Sequence, residues 1–540
     1  MKVLVFICLP LVAAWDMPPP IGTFSTSGPN IRMSPPPQSP AEAPSNSKDA
    51  QYFCQQLKDH FDPQNGTWCM LYFVNAAYWK PGGPVFLCTG GEGPSAQSWI
   101  EPGGSSHCND AAAWAPHFGA MLFAPQHRFY GKNAPVTDFS TPNLRRYLSS
   151  RQALADVELW RAAMIRKYKL WKATWIAFGG SYPGTLASWL RLLYPSSFYA
   201  AVASSAPVKA QANFAGYFDF AAADLALPTI GGSTQCSANI ALGHSQVGAT
   251  FRAGGSRALE QMFNICPGSL DDPFGMAMWA GSGVIAVPTQ GNDPACAWGP
   301  LCNIAQICAA MLEATVAFRR ANVTRPEMHA LAKLASEQMA GGDCVYLNYT
   351  QVIEYYRNTS IEAWGVPGGR PFMWQVCSEL GWHGTCEHGS NCPFTRGYHT
   401  VEFFYGMCSD IFGLASSDVE AGVARTNAYF GADRPNSTRV LWANGEVDPW
   451  SNLSVVTSGS AQLPTIWVLQ AAHHVWTRPP LSTDSALVNM TRQKTLEYVA
   501  GWVGPRRGER GARFLSVRRH AAALGEETDD SAYLQSAYEL

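Results

Sequence analysis

A serine stands at the end of a glycine-rich stretch, where a strand is expected to turn into a helix. Residues 176–184 read Ile-Ala-Phe-Gly-Gly-Ser-Tyr-Pro-Gly, and the serine is Ser181. In this setting a sharp turn lifts the serine hydroxyl above a sheet and leaves the N–H of Tyr182 available to an oxyanion. Pro183 occupies the second glycine position of the G-x-S-x-G pattern, and it disfavours a helical conformation at Tyr182. The stretch predicts a nucleophilic serine; an inert strand–helix turn is the alternative.

Two late segments offer the base and the carboxylate that such a serine needs. A strand near 440–443 precedes Asn-Gly-Glu-Val-Asp-Pro-Trp, and a strand near 466–469 precedes Gln-Ala-Ala-His-His. Enzymes with this kind of turn carry their triad in the chain order Ser, Asp, His. We expect Asp448 to orient His473, and His473 to accept the Ser181 proton. Glu446 and His474 could supply the carboxylate or the base instead, or support them, so the residues alone leave four pairings open.

A glycine-rich loop follows an early apolar run at 84–89. It reads Gly-Gly-Glu-Gly from residue 90, and Gly90 and Gly91 are the candidates for the second oxyanion donor. The run 91–96 also fits a loose dinucleotide-binding fingerprint, but a lone match is weak evidence. We therefore expect no organic cofactor.

Apolar runs alternate with helical patterns through the first part of the chain. Strands are expected near 84–89, 120–124, 174–178 and 199–203, with helices at 151–168 and 185–194. Runs that are apolar throughout predict a mainly parallel sheet covered on both faces. The fold class is α/β: an α/β-hydrolase type of core, in parts 51–209 and 431–504, interrupted at 210–430 by a disulfide-rich, mainly helical insertion.

Most cysteines lie in that insertion. One of the 15 cysteines, Cys8, falls in the N-terminal apolar segment, and the even number that remains is consistent with full pairing. A cluster of Cys and His residues raises the possibility of zinc, but its spacings follow no zinc motif: Cys377, His383, Cys386, His388, Cys392, His399 and Cys408. We expect disulfides and no metal site.

The chain ends point to the secretory pathway. Residues 1–14 have the length and small-residue ending of a signal peptide, and the Pro/Ser-rich stretch 15–50 is expected to be a linker. Residues 505–540 form a charged tail. Seven N-x-[ST] sequons predict a secreted or lysosomal glycoprotein: Asn65, Asn322, Asn348, Asn358, Asn436, Asn452 and Asn489.

Composition excludes several classes of function. Of 540 residues, 47% are apolar and 14% charged, and the net charge is −2, so the chain has a large core and no excess of basic residues with which to bind nucleic acid. No apolar run after the N-terminal one reaches the length of a membrane span. For the oligomeric state, we keep a homodimer as one expectation.

Ordered motifs across residues 51–504 make the chain resemble a family of serine peptidases. The motifs include Asp-His-Phe from residue 59, His-Arg-Phe-Tyr-Gly from 127, Ser-Ser-Ala-Pro-Val from 204, Trp-Gln-Val-Cys-Ser-Glu from 374, and the segments around Ser181, Asp448 and His473. The family contains lysosomal Pro-X carboxypeptidase, dipeptidyl-peptidase II and thymus-specific serine protease, and the last branch looks most similar.

The resemblance implies the triad Ser181, Asp448 and His473 and a helical cap over the active site. It also implies a peptide substrate, cleaved by removal of a C-terminal residue or of an N-terminal dipeptide, often after proline. Gln126 and Val475-Trp476 depart from the residues usual in the family. Two alternatives remain: an esterase or lipase on the same fold, and a catalytically silent binding glycoprotein.

Overall fold

The computed structural model describes residues 50–104, 107–131, 134–296, 299–339, 344–361 and 369–504, with the backbone of two short N-terminal strands. The tail 505–540 and nearly all of the signal peptide 1–14 and linker 15–50 lie outside the described residues, so these three predictions stay predictions.

Thirteen strands are present in the described part of the chain. In chain order they are β1 Lys2–Leu4, β2 Thr23–Phe24, β3 Gln51–Leu57, β4 Thr67–Asn75, β5 Val85–Cys88, β6 Met121–Pro125, β7 Trp175–Gly180, β8 Ala200–Ser204, β9 Gln211–Phe214, β10 Val345–Tyr346, β11 Gly381–Gly384, β12 Val440–Val447 and β13 Thr465–Ala472.

The α-helices of the described residues number fifteen. They are α1 Asn109–Phe118, α2 Thr141–Tyr147, α3 Ser150–Tyr168, α4 Tyr182–Leu193, α5 Gly216–Ala226, α6 Thr234–Arg252, α7 Ser256–Met262, α8 Gly275–Met278, α9 Ile304–Arg320, α10 Pro326–Met339, α11 Tyr349–Arg357, α12 Arg370–Gln375, α13 Val401–Phe412, α14 Ser416–Phe430 and α15 Ala486–Val503.

Eight strands form the main sheet, in the order β13-β12-β8-β7-β5-β6-β4-β3. The six strands from β13 to β6 run parallel, and β4 and β3 are antiparallel at one edge. Parallel neighbours end at the same edge of a sheet, so the segments after β5, β7, β12 and β13 meet there. The predicted strands and their direction are confirmed; the antiparallel edge from 51 to 75 was not foreseen.

Helices cover both faces of this sheet. Alternate residues of β7 show the division: Trp175 and Ala177 pack with residues of α3 and α4, whereas Ile176 and Phe178 pack with α1 and α15. Burial on both faces explains why the strands are apolar throughout.

Ten helices, α5 to α14, lie between β8 and β12, where the sheet is interrupted. This stretch has its own apolar core and contains five of the seven disulfides. Small sheets not foreseen from sequence also involve it: β9 pairs with β11, and β10 with β1. The fold is thus an α/β-hydrolase core with a helical, disulfide-rich insertion; the boundaries 209/210 and 430/431 stay predictions.

All fourteen cysteines outside the N-terminal segment are paired, as expected. The pairs are Cys54–Cys69, Cys88–Cys108, Cys236–Cys308, Cys266–Cys344, Cys296–Cys302, Cys377–Cys408 and Cys386–Cys392.

Candidate active site

Ser181 lies in the sharp turn between β7 and α4. Its φ of 63° and ψ of −135° place a non-glycine residue in a strained region of backbone space, as is typical of a nucleophile elbow. Its N–H donates to Ser204 O at the end of the neighbouring strand (2.9 Å). The side chain is completely buried, and its Oγ has no hydrogen-bond partner among the described residues.

The glycines before the serine allow this turn to be packed closely. A Cβ on Gly179 would lie 2.4 Å from the carbonyl carbon of Pro183, and one on Gly180 would lie 2.9 Å from Cγ of His474. Helix α4 begins at Tyr182 and takes Pro183 within its first turn. Tyr182 is therefore the first residue of the helix despite the expected bias that Pro183 places on it. Pro183 itself is tolerated because a proline near a helix start removes only an N–H that lacks an intrahelical acceptor.

Asp448 and His473 meet at the ends of two paired strands. Asp448 follows β12 and His473 follows β13, and His473 Nδ1 lies 2.9 Å from Asp448 Oδ1. Trp450 N also donates to that oxygen (3.1 Å), which orients the carboxylate. Both side chains are at most 1% exposed, and Nε2 of His473 has no hydrogen-bond partner among the described residues.

Of the four carboxylate–histidine pairings that the sequence left open, the structure brings Asp448 and His473 into hydrogen-bond contact. The Glu446 carboxylate instead accepts from Gln470 N (2.8 Å), and both residues lie within strands β12 and β13. His474 Nδ1 pairs with Thr477 Oγ1 (3.1 Å) rather than with a carboxylate.

His474 lies between two other imidazoles. Its ring centroid is 4.5 Å from that of His473 and 5.2 Å from that of His107. The backbone N–H of His474 donates to Ser205 Oγ (2.9 Å). Burial, with the two neighbouring imidazoles, holds the pKa of His474 well below its usual range. His474 is therefore a neutral ring that packs against both His473 and the elbow.

The loop containing Gly90 and Gly91 touches the elbow. A Cβ on Gly91 would lie 2.4 Å from Cγ of Pro183, and Thr89 Oγ1 donates to Pro183 O (2.7 Å). Tyr182 is the first residue of α4, so its N–H has no acceptor within the helix. The loop with the predicted donors Gly90 and Gly91 thus packs against Pro183, the residue that follows Tyr182.

A polar network fixes the Tyr182 side chain behind the elbow. Its hydroxyl lies 2.8 Å from Gln375 Nε2, 3.1 Å from His127 Nε2 and 3.3 Å from Ser150 Oγ.

Burial raises the pKa of nearby Glu92 to about 8, so this carboxyl group is largely protonated at neutral pH. Glu92 belongs to the Gly90 loop, but nothing in the sequence marked it as a buried acid.

Sequence reasoning also missed Gln290. It lies in an irregular part of the insertion, without a motif, yet its backbone oxygen accepts from His473 N (3.1 Å). Its Oε1 accepts from Trp450 Nε1 (2.7 Å). No local sequence signal could have found it, because these contacts are all distant in sequence.

Two of the cysteines considered as zinc ligands form a disulfide with each other. Cys377, His383 and Cys408 lie close enough for their ligand atoms to share one ion, but Cys377 and Cys408 form a disulfide. A zinc site of this kind needs thiolates.

The seven sequons all lie outside the buried core. Asn322, Asn358, Asn436, Asn452 and Asn489 are exposed, and Asn65 and Asn348 are partly exposed.

Within the described residues, no helix has the length and apolar character to cross a membrane.

Comparison with known proteins gives the family. Residues 55–495 match the family described as Serine carboxypeptidase S28. The chain is 34% identical to mouse thymus-specific serine protease over 459 residues, which cover 83% of this chain and 87% of the mouse protein. The human protein of that name is 31% identical over 467 residues (83% and 86%). Bovine lysosomal Pro-X carboxypeptidase is 26% identical over 480 residues (84% and 87%).

The family match spans most of the chain and contains the elbow, the Asp448–His473 contact and the Gly90 loop. The chain therefore belongs to the serine carboxypeptidase S28 family of serine peptidases.

Proposed function

We propose that this protein is a serine exopeptidase acting on short peptides, with Ser181 as nucleophile, His473 as base and Asp448 as the orienting carboxylate. One observation carries the proposal: Asp448 holds His473 at 2.9 Å, and Ser181 Oγ and His473 Nε2 are buried and unpaired in the described structure. These two atoms are the pair between which a proton must pass when substrate arrives.

The reaction follows from those positions. Ser181 Oγ attacks the scissile carbonyl carbon as its proton passes to His473 Nε2. The Tyr182 N–H and a donor from the Gly90–Gly91 loop stabilise the oxyanion. The C–N bond then breaks, the leaving amine takes the proton from His473, and an ester to Ser181 remains. Water, deprotonated by His473, hydrolyses that ester and restores the serine.

Burial supports a small substrate. Ser181, Asp448 and His473 are each at most 1% exposed, so a folded protein chain would not reach them. The insertion, which contacts His473 through Gln290, acts as a cap in this proposal. We keep both exopeptidase modes, removal of a C-terminal residue or of an N-terminal dipeptide, with cleavage after proline as one specificity to test.

The compartment is part of the proposal. The seven disulfides and the exposed sequons support folding in the secretory pathway, glycosylation, and delivery to the exterior or to a lysosome or vacuole. The relatives named lysosomal Pro-X carboxypeptidase support the last destination. A homodimer is carried as a further proposal, to be checked by size-exclusion chromatography with light scattering.

Peptide products test the proposal directly. Purified protein and its Ser181→Ala variant would be incubated with a peptide mixture between pH 4 and 8, and the products read by mass spectrometry. Loss of single C-terminal residues or of N-terminal dipeptides, absent with Ser181→Ala, would name the mode. Intact peptides with hydrolysed model esters would instead favour an esterase. Intact peptides and no fluorophosphonate labelling would favour the silent glycoprotein.

A further inference from the structure

We propose that Gln290 is a positioning residue for the triad, through which the insertion holds His473 and the Asp448 turn in one arrangement. The inference rests on the proposed function, since it assigns Gln290 a part in the same reaction. Gln290 belongs to neither of the two chain segments that contain the triad.

Four hydrogen bonds close a ring through Gln290. Its backbone oxygen accepts from His473 N (3.1 Å), and His473 Nδ1 pairs with Asp448 Oδ1 (2.9 Å). The same Asp448 oxygen accepts from Trp450 N (3.1 Å), and Trp450 Nε1 donates to Gln290 Oε1 (2.7 Å). All four residues are buried, with Gln290 only 5% exposed.

This ring fixes a relationship that the sheet alone leaves open. The ends of β12 and β13 bring Asp448 and His473 near each other, but both residues lie beyond the strand ends in irregular backbone. Gln290 touches the backbone of one and, through Trp450, the turn that follows the other. A misplacement of about 1 Å in the base can lower a catalytic rate about a hundredfold, so holding both residues has a kinetic consequence.

The Gln290 loop is itself anchored firmly within the insertion. Asn292 Oδ1 accepts from Ile304 N (2.9 Å) at the start of α9. Asn303 Nδ2 lies 3.4 Å from Asp293 O, and the Cys296–Cys302 disulfide closes the neighbouring stretch. The ring therefore connects the triad to a loop that is hydrogen-bonded to the start of α9.

The test compares two breaks in the ring. Gln290→Met keeps the side-chain length but removes the acceptor of both Trp450 Nε1 and the Tyr217 hydroxyl (2.9 Å). Trp450→Phe removes the indole donor together with part of a buried ring. The matched control is Gln338→Met, because Gln338 also bonds a nearby loop of the insertion, at Ala286, without touching the triad. Each variant is measured for thermal unfolding, for its rate of labelling by a fluorophosphonate, and for kcat and KM on a peptide identified with the wild type.

We expect both ring variants to label at least about tenfold more slowly than wild type, with kcat lowered by a similar factor and KM changed less than about threefold. The double variant should be no slower than the slower single variant, because each change opens the same ring. Gln338→Met should label at the wild-type rate.

Folded ring variants that label at the wild-type rate, or a double variant whose losses multiply, would overturn the inference. If Gln290→Met does not fold, the labelling rate of Trp450→Phe decides the inference: a wild-type rate overturns it, and a rate lowered about tenfold supports it. A wild-type protein that neither labels nor cleaves peptides refutes the proposed function instead, so the two failures are distinct.

Discussion

The backbone of Gly91 lies directly against the ring of Pro183, so that a methyl group on Gly91 would fall 2.4 Å from Cγ of the proline. Two features that the sequence shows separately, the Gly-rich loop and the departure from G-x-S-x-G, are therefore complementary parts of one contact. The proline at the elbow requires a residue without a side chain in the loop that faces it.

Gly91→Ala should thus damage catalysis without removing any triad member. The new methyl group would push the loop from the elbow and separate the two proposed oxyanion donors, and we expect kcat/KM to fall about a hundredfold. Gly389→Ala is the control, because nothing lies within 4 Å of its new Cβ. Equal rates for the two variants on the same peptide would remove the Gly90–Gly91 loop from the oxyanion site.

Asp448 and Glu446 can be separated by paired amide substitutions. Asp448→Asn should lower kcat by about 10³–10⁴, because the amide no longer stabilises the imidazolium that forms on His473. Glu446→Gln, which keeps an acceptor for Gln470 N, should have a much smaller effect. The measurement is kcat on a common peptide, with circular dichroism to verify the fold. A larger loss in Glu446→Gln would reverse the assignment.

Glu92 should make the protein less stable as the pH rises toward 8. Its folded pKa, raised by burial to about 8, lies above that of an exposed glutamate. Above pH 6.5 the unfolded chain has lost this proton while the folded protein keeps it, so the free energy of unfolding falls as pH rises to the folded pKa. Asp110, whose pKa burial raises to about 7, acts in the same direction.

Comparison with Glu92→Gln isolates this contribution. Between pH 6.5 and 8 the wild type should lose about 1–2 kcal/mol relative to Glu92→Gln. Urea unfolding at both pH values measures the difference, and Glu101→Gln, at an exposed position, is the control. Parallel pH curves for wild type and Glu92→Gln would show that Glu92 is ionised in the folded protein.

Arg128 is expected to be a stability residue although it lies in one of the motifs shared with the family. It is completely buried, and its Nε and Nη2 each lie 2.6 Å from an oxygen of Asp156. Arg128→Met would leave that carboxylate buried without its main cationic partner, at a loss of about 3–5 kcal/mol. Lys333→Met, which breaks an exposed ion pair with Glu337, should leave the urea midpoint unchanged. A small loss for Arg128→Met would indicate that Asp156 takes up a proton or finds water.

Local signals predicted the strands of the core and indicated the candidate site residues. Apolar runs predicted the six parallel strands, because most of these strands are buried on both faces; β13, at the sheet edge, is only partly buried. The glycines before Ser181, and the apolar strands before Asp448 and His473, indicated the site because they too are local features of the sequence. The choice of Asp448 over Glu446 needed the family resemblance or the structure. Both residues carry a carboxylate and they are only two positions apart, so the local sequence does not distinguish them.

What the sequence could not provide depends on distant contacts. Gln290 and His107 lie in loops without a motif, and Glu92 lies in a glycine-rich loop in which nothing marks it as a buried acid. Their positions follow only from how segments distant in sequence pack together. The disulfide pairing is of the same kind: fourteen cysteines allow many connectivities, and only geometry selects among them.

The interruption of the sheet between β8 and β12 has a consequence for biosynthesis. A ribosome releases Ser181 long before Asp448 and His473, and residues 205–439 must emerge between the two core segments. A nascent chain therefore holds the proposed nucleophile without its proposed base until β13 has been made. Because β8 and β12 are far apart in sequence, we expect their pairing to be a slow, late step of folding. Peptide hydrolysis would thus begin only once synthesis is nearly complete, which protects the compartment where the chain is made.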